Sequence, residues 1–195
     1  MIKRLFDIIS ASIVLVILSP VFIVVAILIV KDSKGGVFFK QKRVGLDQLE
    51  FGLFKFRTMR PDSDGVKITV GDRDPRVTDV GYFLRKYKLD ELPQLINILR
   101  GEMSVVGPRP EVKQYVDLYN SEQLQVLSVK PGLSDLATLE YVNESEILAQ
   151  SDNPEQTYIN DIMPNKLRLN LDYIKNQSLL LDLKIIFKTF SRLIR

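Results

Sequence analysis

"LFDIISASIVLVILSPVFIVVAILIV", residues 5–30, decides the architecture of this chain. These 26 residues carry one charge, Asp7. A straight helix of that length extends about 39 Å, at about 1.5 Å per residue. That would cross a hydrocarbon core of about 30 Å with some tilt. The apolar run resumes after Pro20 and meets no small-residue cleavage pattern, so it does not read as a cleaved leader. Two features oppose a simple crossing. Ser19-Pro20 lies inside the run, and a proline removes one backbone hydrogen bond and kinks the helix. Positive residues flank both ends: Lys3 and Arg4 before it, Lys31, Lys34, Lys40, Lys42 and Arg43 after it. Positive flanks stay on the cytoplasmic side. A helix–break–helix that enters the membrane and returns, broken at Ser19 and Pro20, satisfies both ends. A kinked transmembrane helix is the competing reading.

Composition narrows the chemistry available to the remainder. The 195 residues hold 27 Lys and Arg against 24 Asp and Glu, a net charge of +3, with no cysteine and no histidine. Disulfides, Cys/His metal sites, thiol nucleophiles and imidazole acid–base catalysis are excluded. A metal would be a hard cation on oxygen ligands, with Mg²⁺ the natural choice. So small a net charge makes no argument for nucleic acid.

Beyond the apolar run, "GGVFFKQKRVG" and "EFGLFKFRTM" read as two strands joined by "LDQL". In the second, Leu53, Lys55 and Arg57 share one face, and Phe54 and Phe56 share the other. Lys40 and Lys42 read as solvated. Lys55 and Arg57 read equally as solvated charge or as an anion site.

The densest stretch is "GDRDPRVTDVGYFLRKYKLDELPQLINILRGEMSVVGPRP". Thr78 or Asp79 can cap a short helix that carries Tyr82, Phe83 and Leu84 inward, with Arg85 and Lys86 near its end. Asp90 and Glu91 then precede Pro93 and the apolar run "QLINILRG". Read as capping, Asp90 is the N-cap, Glu91 sits in the first turn and Gly101 stops the helix. Read as chemistry, two adjacent carboxylates stand among cations that could converge on a phosphate. Pro108 and Pro110 stiffen the backbone on either side of Arg109, whose planar fork suits phosphate. The constellation suits phosphoryl transfer from a nucleotide-linked donor.

The pieces "KRLFDIISA", the "SP" break, "FKQKRVG", "FKFRTM", "DPRVTDVGYFLRKYKLDELPQLINILRGEMSVVGPRP" and "KPGLSDL" occur in this order between Lys3 and Asp135. They resemble the bacterial sugar transferases, the monotopic polyprenyl-phosphate phosphoglycosyl transferases, in their small form with little beyond the catalytic unit. The resemblance implies an enzyme that moves a sugar phosphate from a UDP-sugar to polyprenyl (undecaprenyl) phosphate and releases UMP. It implies Mg²⁺ as cofactor, and the cytoplasmic face of the bacterial inner membrane as location, in contact with membrane lipid. It leaves room for homo-oligomerisation. By the same resemblance Asp90 is the nucleophile that takes the phosphosugar, and Glu91, together with Asp90, holds the metal. Lys55, Arg57, Arg85 and Arg109, with Pro108 and Pro110, line the phosphate site. The resemblance also implies that the reaction is a first membrane step of bacterial glycan assembly.

The expected fold is α+β and mostly helical. It has a re-entrant membrane helix over residues 1–30 and a cytoplasmic-face catalytic domain over 31–195, with one small antiparallel hairpin and several short helices. After Pro131-Gly132 the chain departs from the family's pattern with "LSDLATLEYVNESEIL". At the C-terminus, Leu179, Leu183, Ile186, Phe187, Phe190 and Ile194 share one helical face, and Lys184, Lys188, Arg192 and Arg195 another. This amphipathic pattern fits a membrane-surface helix or one packed on protein equally well.

Overall fold

The computed structural model describes residues 2–60 and 74–193. Its elements run α1 Ile2–Asp32, β1 Phe38–Val44, β2 Glu50–Phe56, α2 Asp79–Lys86, α3 Gln94–Arg100 and β3 Ser104–Val106. There follow α4 Lys113–Val116, β4 Gly132–Ser134, α5 Leu136–Glu140, α6 Glu144–Ala149, α7 Pro154–Thr157, α8 Met163–Lys175 and α9 Leu179–Leu193. The chain is mostly helical, as expected. The expected hairpin is present: β1 and β2 pair antiparallel, Phe38 opposite Phe56 and Lys40 opposite Phe54. A second, parallel pair, β3 with β4, was not legible in strands of three residues.

The break expected at Ser19 and Pro20 does not interrupt the helix, for α1 is continuous through Pro20. Proline withdraws the amide that would serve the carbonyl of Val16, four residues back. The Ser19 hydroxyl replaces it, donating to Val16 O at 2.8 Å. A hydroxyl in that place satisfies the freed carbonyl, which is how proline persists in helices surrounded by apolar solvent.

Both ends of α1 are fastened to one globular body. At the start, Arg4 donates to the carbonyls of Ile98 (2.6 Å) and Leu99 (3.1 Å). Asp7, the lone charge of the run, is buried and accepts from Ser104 Oγ and Val105 N, both at 3.0 Å. At the far end the Arg57 guanidinium donates to the carbonyls of Ser33, Lys34 and Gly36 at 2.6–2.8 Å. Between these ties a stripe at helical spacing packs inward. Ala11, Val14 and Leu15 meet Leu53, Leu95, Ile98 and Met103. Phe22, Val25 and Ile29 meet Phe56, Leu84 and Leu92. Ile13, Val16, Ile17, Ile23, Val24 and Ile27, on the outer side, are exposed.

Thr78 caps α2, accepting from Gly81 N at 3.0 Å. Gly81 is required there, because a Cβ would lie 2.1 Å from Thr58 O. Of the three apolar residues expected inside, Leu84 is buried but Phe83 faces out and packs on Tyr87 with ring centroids 4.8 Å apart. Three adjacent residues of a short helix cannot share one face, and the Gly81 contact fixes which one turns inward.

The C-terminal helix meets the protein with the side opposite to its apolar face. Asp182 and Ile185 are buried, while Leu180, Leu183, Phe187 and Phe190 are exposed. Asp182 takes Lys3 Nζ at 2.6 Å on one oxygen and the Tyr173 hydroxyl at 2.6 Å on the other. Ile194 and Arg195 lie outside the described residues. The two elements with uncovered apolar faces, α1 and α9, are thus pinned to each other.

Candidate active site

Asp90 and Glu91 are in a single 3₁₀ turn, Leu89–Glu91, entered through Lys88 at φ 54°. The N-cap expectation fails. Helix α3 begins only at Gln94, after Pro93, and no side chain caps it. Proline cannot accept a preceding helical turn easily, so the acids are held back in a tighter turn. Gly101 stops α3 at φ 84°, as expected. With capping removed, the pair is left as two buried carboxylates, Asp90 at 7% and Glu91 at 9% exposure.

Two distant motifs converge on Glu91. Lys55, from β2, donates to its Oε1 at 2.9 Å. Arg109 reaches it with both arms of the fork: Nη2 to Oε1, and Nη1 to Oε2 at 3.3 Å. Burial by itself would raise the Glu91 carboxyl, but Arg109 and Lys55 together outweigh it and hold it well below the usual carboxylate range. Glu91 in turn raises Arg109 above its ordinary value, against the opposing effect of burial.

Asp90 is treated differently. Its nearest cation is Lys55, Nζ to Oδ2 at 3.9 Å, and it accepts no hydrogen bond from the described residues. Burial pushes its carboxyl up; Lys55 opposes this, the charge on Glu91 adds to it, and Lys88 and Arg85 oppose it more weakly. The turn therefore presents one carboxylate that is neutralised and one that is desolvated with its lone pairs unengaged.

Arg109 is fixed by the backbone around it. Strand β3 leads into Gly107, whose amide donates to Ser134 O at 3.1 Å, while Gly132 N donates to Pro108 O at 2.9 Å. A Cβ on Gly132 would lie 2.1 Å from Gly107 N, so the two motifs, "GPRP" and "KPG", cross where neither can bear a side chain. Pro108 and Pro110 are buried. On the far side of the loop Arg43 donates to Pro110 O at 3.2 Å and to Glu111 Oε1 at 2.9 Å. The other Glu111 oxygen accepts from the Tyr158 hydroxyl. Neither Glu111 nor Tyr158 carried a sequence signal strong enough to mark it.

Of the expected cations, Lys55 and Arg109 meet at the acid pair. Arg85 stands near enough to influence Asp90, but its side chain makes no hydrogen bond among the described residues. Arg57 is a correction. Three of its donors are engaged by the carbonyls that end α1, so it secures that helix rather than lining a phosphate site. Strand alternation placed Lys55 and Arg57 on one face, but β2 ends at Phe56 and the alternation ends with it.

Asn97, hidden in the apolar run, positions Lys55. It is fully buried, accepts from Phe54 N at 3.0 Å, and donates to Gly52 O at 2.8 Å and Glu102 Oε2 at 2.7 Å. It thereby clamps β2 to α3 on the residue before Lys55. Asn97→Leu strands a buried amide and a carbonyl, and is expected to lower stability by about 3 kcal/mol. Chemical denaturation in detergent measures this; a loss below about 1 kcal/mol would remove Asn97 as the clamp.

A family model described as bacterial sugar transferase matches residues 1–195. The chain is 38% identical over 205 residues to the exopolysaccharide production protein ExoY of Rhizobium meliloti (strain 1021), covering 97% of this chain and 84% of that protein. It is 40% identical over 193 residues to the UDP-glucose:undecaprenyl-phosphate glucose-1-phosphate transferase of Klebsiella pneumoniae, with 96% of this chain covered. It is 38% identical over 195 residues to the UDP-N-acetylgalactosamine-undecaprenyl-phosphate N-acetylgalactosaminephosphotransferase of Aeromonas hydrophila, again with 96% covered. The chain spans only 39% and 42% of the lengths of these two transferases.

Proposed function

The chain belongs to the bacterial sugar transferase family, and from that membership and the geometry around Asp90 we propose that it transfers a sugar phosphate from a UDP-sugar to polyprenyl phosphate. A carboxylate oxygen of Asp90 attacks the β-phosphorus. The bond from that phosphorus to the bridging oxygen breaks, and UMP leaves with the electron pair. A phosphate oxygen of the polyprenyl phosphate then attacks the same phosphorus and frees the Asp90 carboxylate, leaving a polyprenyl diphosphate sugar. Splitting one displacement into two is what a covalent nucleophile offers. The carrying observation is the contrast within the pair: Glu91 is saturated by Lys55 and Arg109, whereas Asp90 is buried beside a cation with no hydrogen bond engaging its oxygens. Labelled UMP should exchange into UDP-sugar without polyprenyl phosphate; no exchange, where the full reaction runs, would favour direct attack by the lipid.

Lys55 and Arg109 are positioned to offset the charge of the diphosphate as it approaches the acids. Magnesium fits the donor set in one way only. No group of three acidic side chains among the described residues is arranged to hold a metal ion, but Mg²⁺ is ordinarily held by one or two carboxylates with substrate phosphate oxygens and water. Glu91 and Asp90 would supply the protein oxygens, and the metal would neutralise the diphosphate. Glu91 must then yield part of its contact with Lys55 and Arg109, which the arriving phosphates can take over.

The desolvated nucleophile predicts a pH dependence. Only ionised Asp90 attacks, so kcat/KM rises with pH through a midpoint above the ordinary aspartate value. Lys55→Met removes the main charge that lowers Asp90 and should move that acid limb higher still. A midpoint unchanged or lowered in pH–rate profiles would uncouple the two residues.

The exposed apolar faces of α1 and α9 support membrane association. We place the enzyme at the cytoplasmic face of the inner membrane, with both ends of α1 on that side, because both are tied to the same body. The chain has no cysteine, so Ile2→Cys and Lys34→Cys each give a single reporter. Neither should react with an impermeant thiol reagent on intact cells; labelling of either from outside would reverse the topology.

A further inference from the structure

The cavity lined by Glu91 and Arg109 extends well beyond those two residues. It encloses about 1090 Å³, and a second wall, well along the chain, is made by Thr138, Tyr141, Glu144, Tyr158, Lys166 and Asn170. Three of these six, Thr138, Tyr141 and Glu144, belong to the stretch after Pro131-Gly132 in which the chain departs from the family's pattern. A link to the catalytic end runs through Asp135. It influences Arg109 and caps α5, accepting from Thr138 N at 2.7 Å and from Thr138 Oγ1 at 2.6 Å. Helix α5 packs on α8, which carries Lys166 and Asn170.

Asn170 is the informative residue. It is 5% exposed, and its Oδ1 has no hydrogen-bond partner among the described residues. A buried amide oxygen is seldom left so, because its bond to water has been given up. The same wall offers a matched donor and acceptor: Lys166 Nζ donates to Glu144 Oε2 at 2.8 Å and lies 5.5 Å from the Tyr158 ring centroid. That ring is immobilised by its own hydroxyl, which donates to Glu111. An unengaged acceptor beside a donor–acceptor pair suits a polyol ring, whose hydroxyls both donate and accept.

We propose that this wall takes the sugar ring of the donor, and that Asn170 accepts a hydrogen bond from a ring hydroxyl or an acetamido N–H that differs between sugars. Uridine and diphosphate are common to every UDP-sugar and only the sugar varies. A wall drawn from the divergent segment belongs against the part that varies. The proposal rests on the transfer reaction above. It makes the segment after Gly132, together with α8, the determinant of which sugar is taken.

The test uses the full chain in detergent with polyprenyl phosphate, reading initial rates of UMP release from UDP-glucose, UDP-galactose, UDP-N-acetylglucosamine and UDP-N-acetylgalactosamine. Asn170→Ala should lower kcat/KM for the preferred sugar about tenfold, change the ratio of preferred to disfavoured sugars by a similar factor, and leave inhibition by UMP as in the wild type. Glu144→Gln, on the partly exposed rim, should also shift the ratio, and serves if Asn170→Ala melts early. An equal fall for all four sugars with weaker UMP inhibition would assign the wall to uridine and overturn the proposal. Unchanged ratios in both folded variants would put the wall outside the site. If the wild type releases no UMP from any UDP-sugar, the transfer reading itself fails and the sugar assignment falls with it.

Discussion

Asp90→Asn is expected to abolish UMP release, lowering turnover by about a thousandfold or more, while the protein stays folded. The separation of the two effects comes from the surroundings of the residue. Asparagine has nearly the shape of aspartate, and Asp90 caps no helix that could be lost. Its charge is also unfavourable where it stands, since burial and Glu91 both resist ionisation. Removing that charge should leave stability equal or slightly higher. A mutation that stabilises and silences together marks a group kept for chemistry. Thermal melting and UMP release on the same preparation check it. An active Asp90→Asn enzyme would remove the covalent step and return the turn to a structural role.

The second large effect is expected at Arg109. Arg109→Lys keeps the positive charge yet should reduce kcat/KM about a hundredfold, because the ammonium has one point of contact where the guanidinium has two. In the structure Nη1 and Nη2 reach different oxygens of Glu91. No lysine conformer reproduces that fork on a loop held by prolines on both sides. Arg109→Met should be worse. It leaves buried Glu91 with one cation where it had two, and breaking that pair costs about 3 kcal/mol. Near-normal turnover of Arg109→Lys would reduce Arg109 to a source of positive potential.

Much of this site was legible because its parts are short, rigid and chemically unusual in sequence. "LDELP" and "GPRP" combine prolines with charges, and those combinations survive folding unchanged. The hairpin was legible from alternation and a four-residue connection. What was not legible shares one cause: partners distant in sequence decided the outcome. Asp90 looked like a cap because the sequence cannot show that α3 waits for Gln94. Arg57 looked like a companion of Lys55 because alternation does not reveal three carbonyls at the end of α1. Asn97 sat in an apolar run and gave no sign that β2 would need its amide. The pairing of β3 with β4 depends on two glycines crossing, Gly107 and Gly132, which no local pattern announces. Pro20 was read for what it removes, without the neighbouring hydroxyl that restores it.

The ties at the ends of α1 also set an order for making the protein. Lys3 pairs with Asp182 and Arg4 with the carbonyls of Ile98 and Leu99, separations of 179, 94 and 95 residues. Contacts closed over such lengths form late. While the chain is still emerging, α1 exists as an apolar helix with no protein surface to receive Ala11, Val25 or Ile29. Something other than its own fold must shelter it during that interval, and a lipid surface close to the ribosome is the solvent that can. The catalytic body then assembles against a helix already in position, so an element made before the body it packs on is the last to be locked.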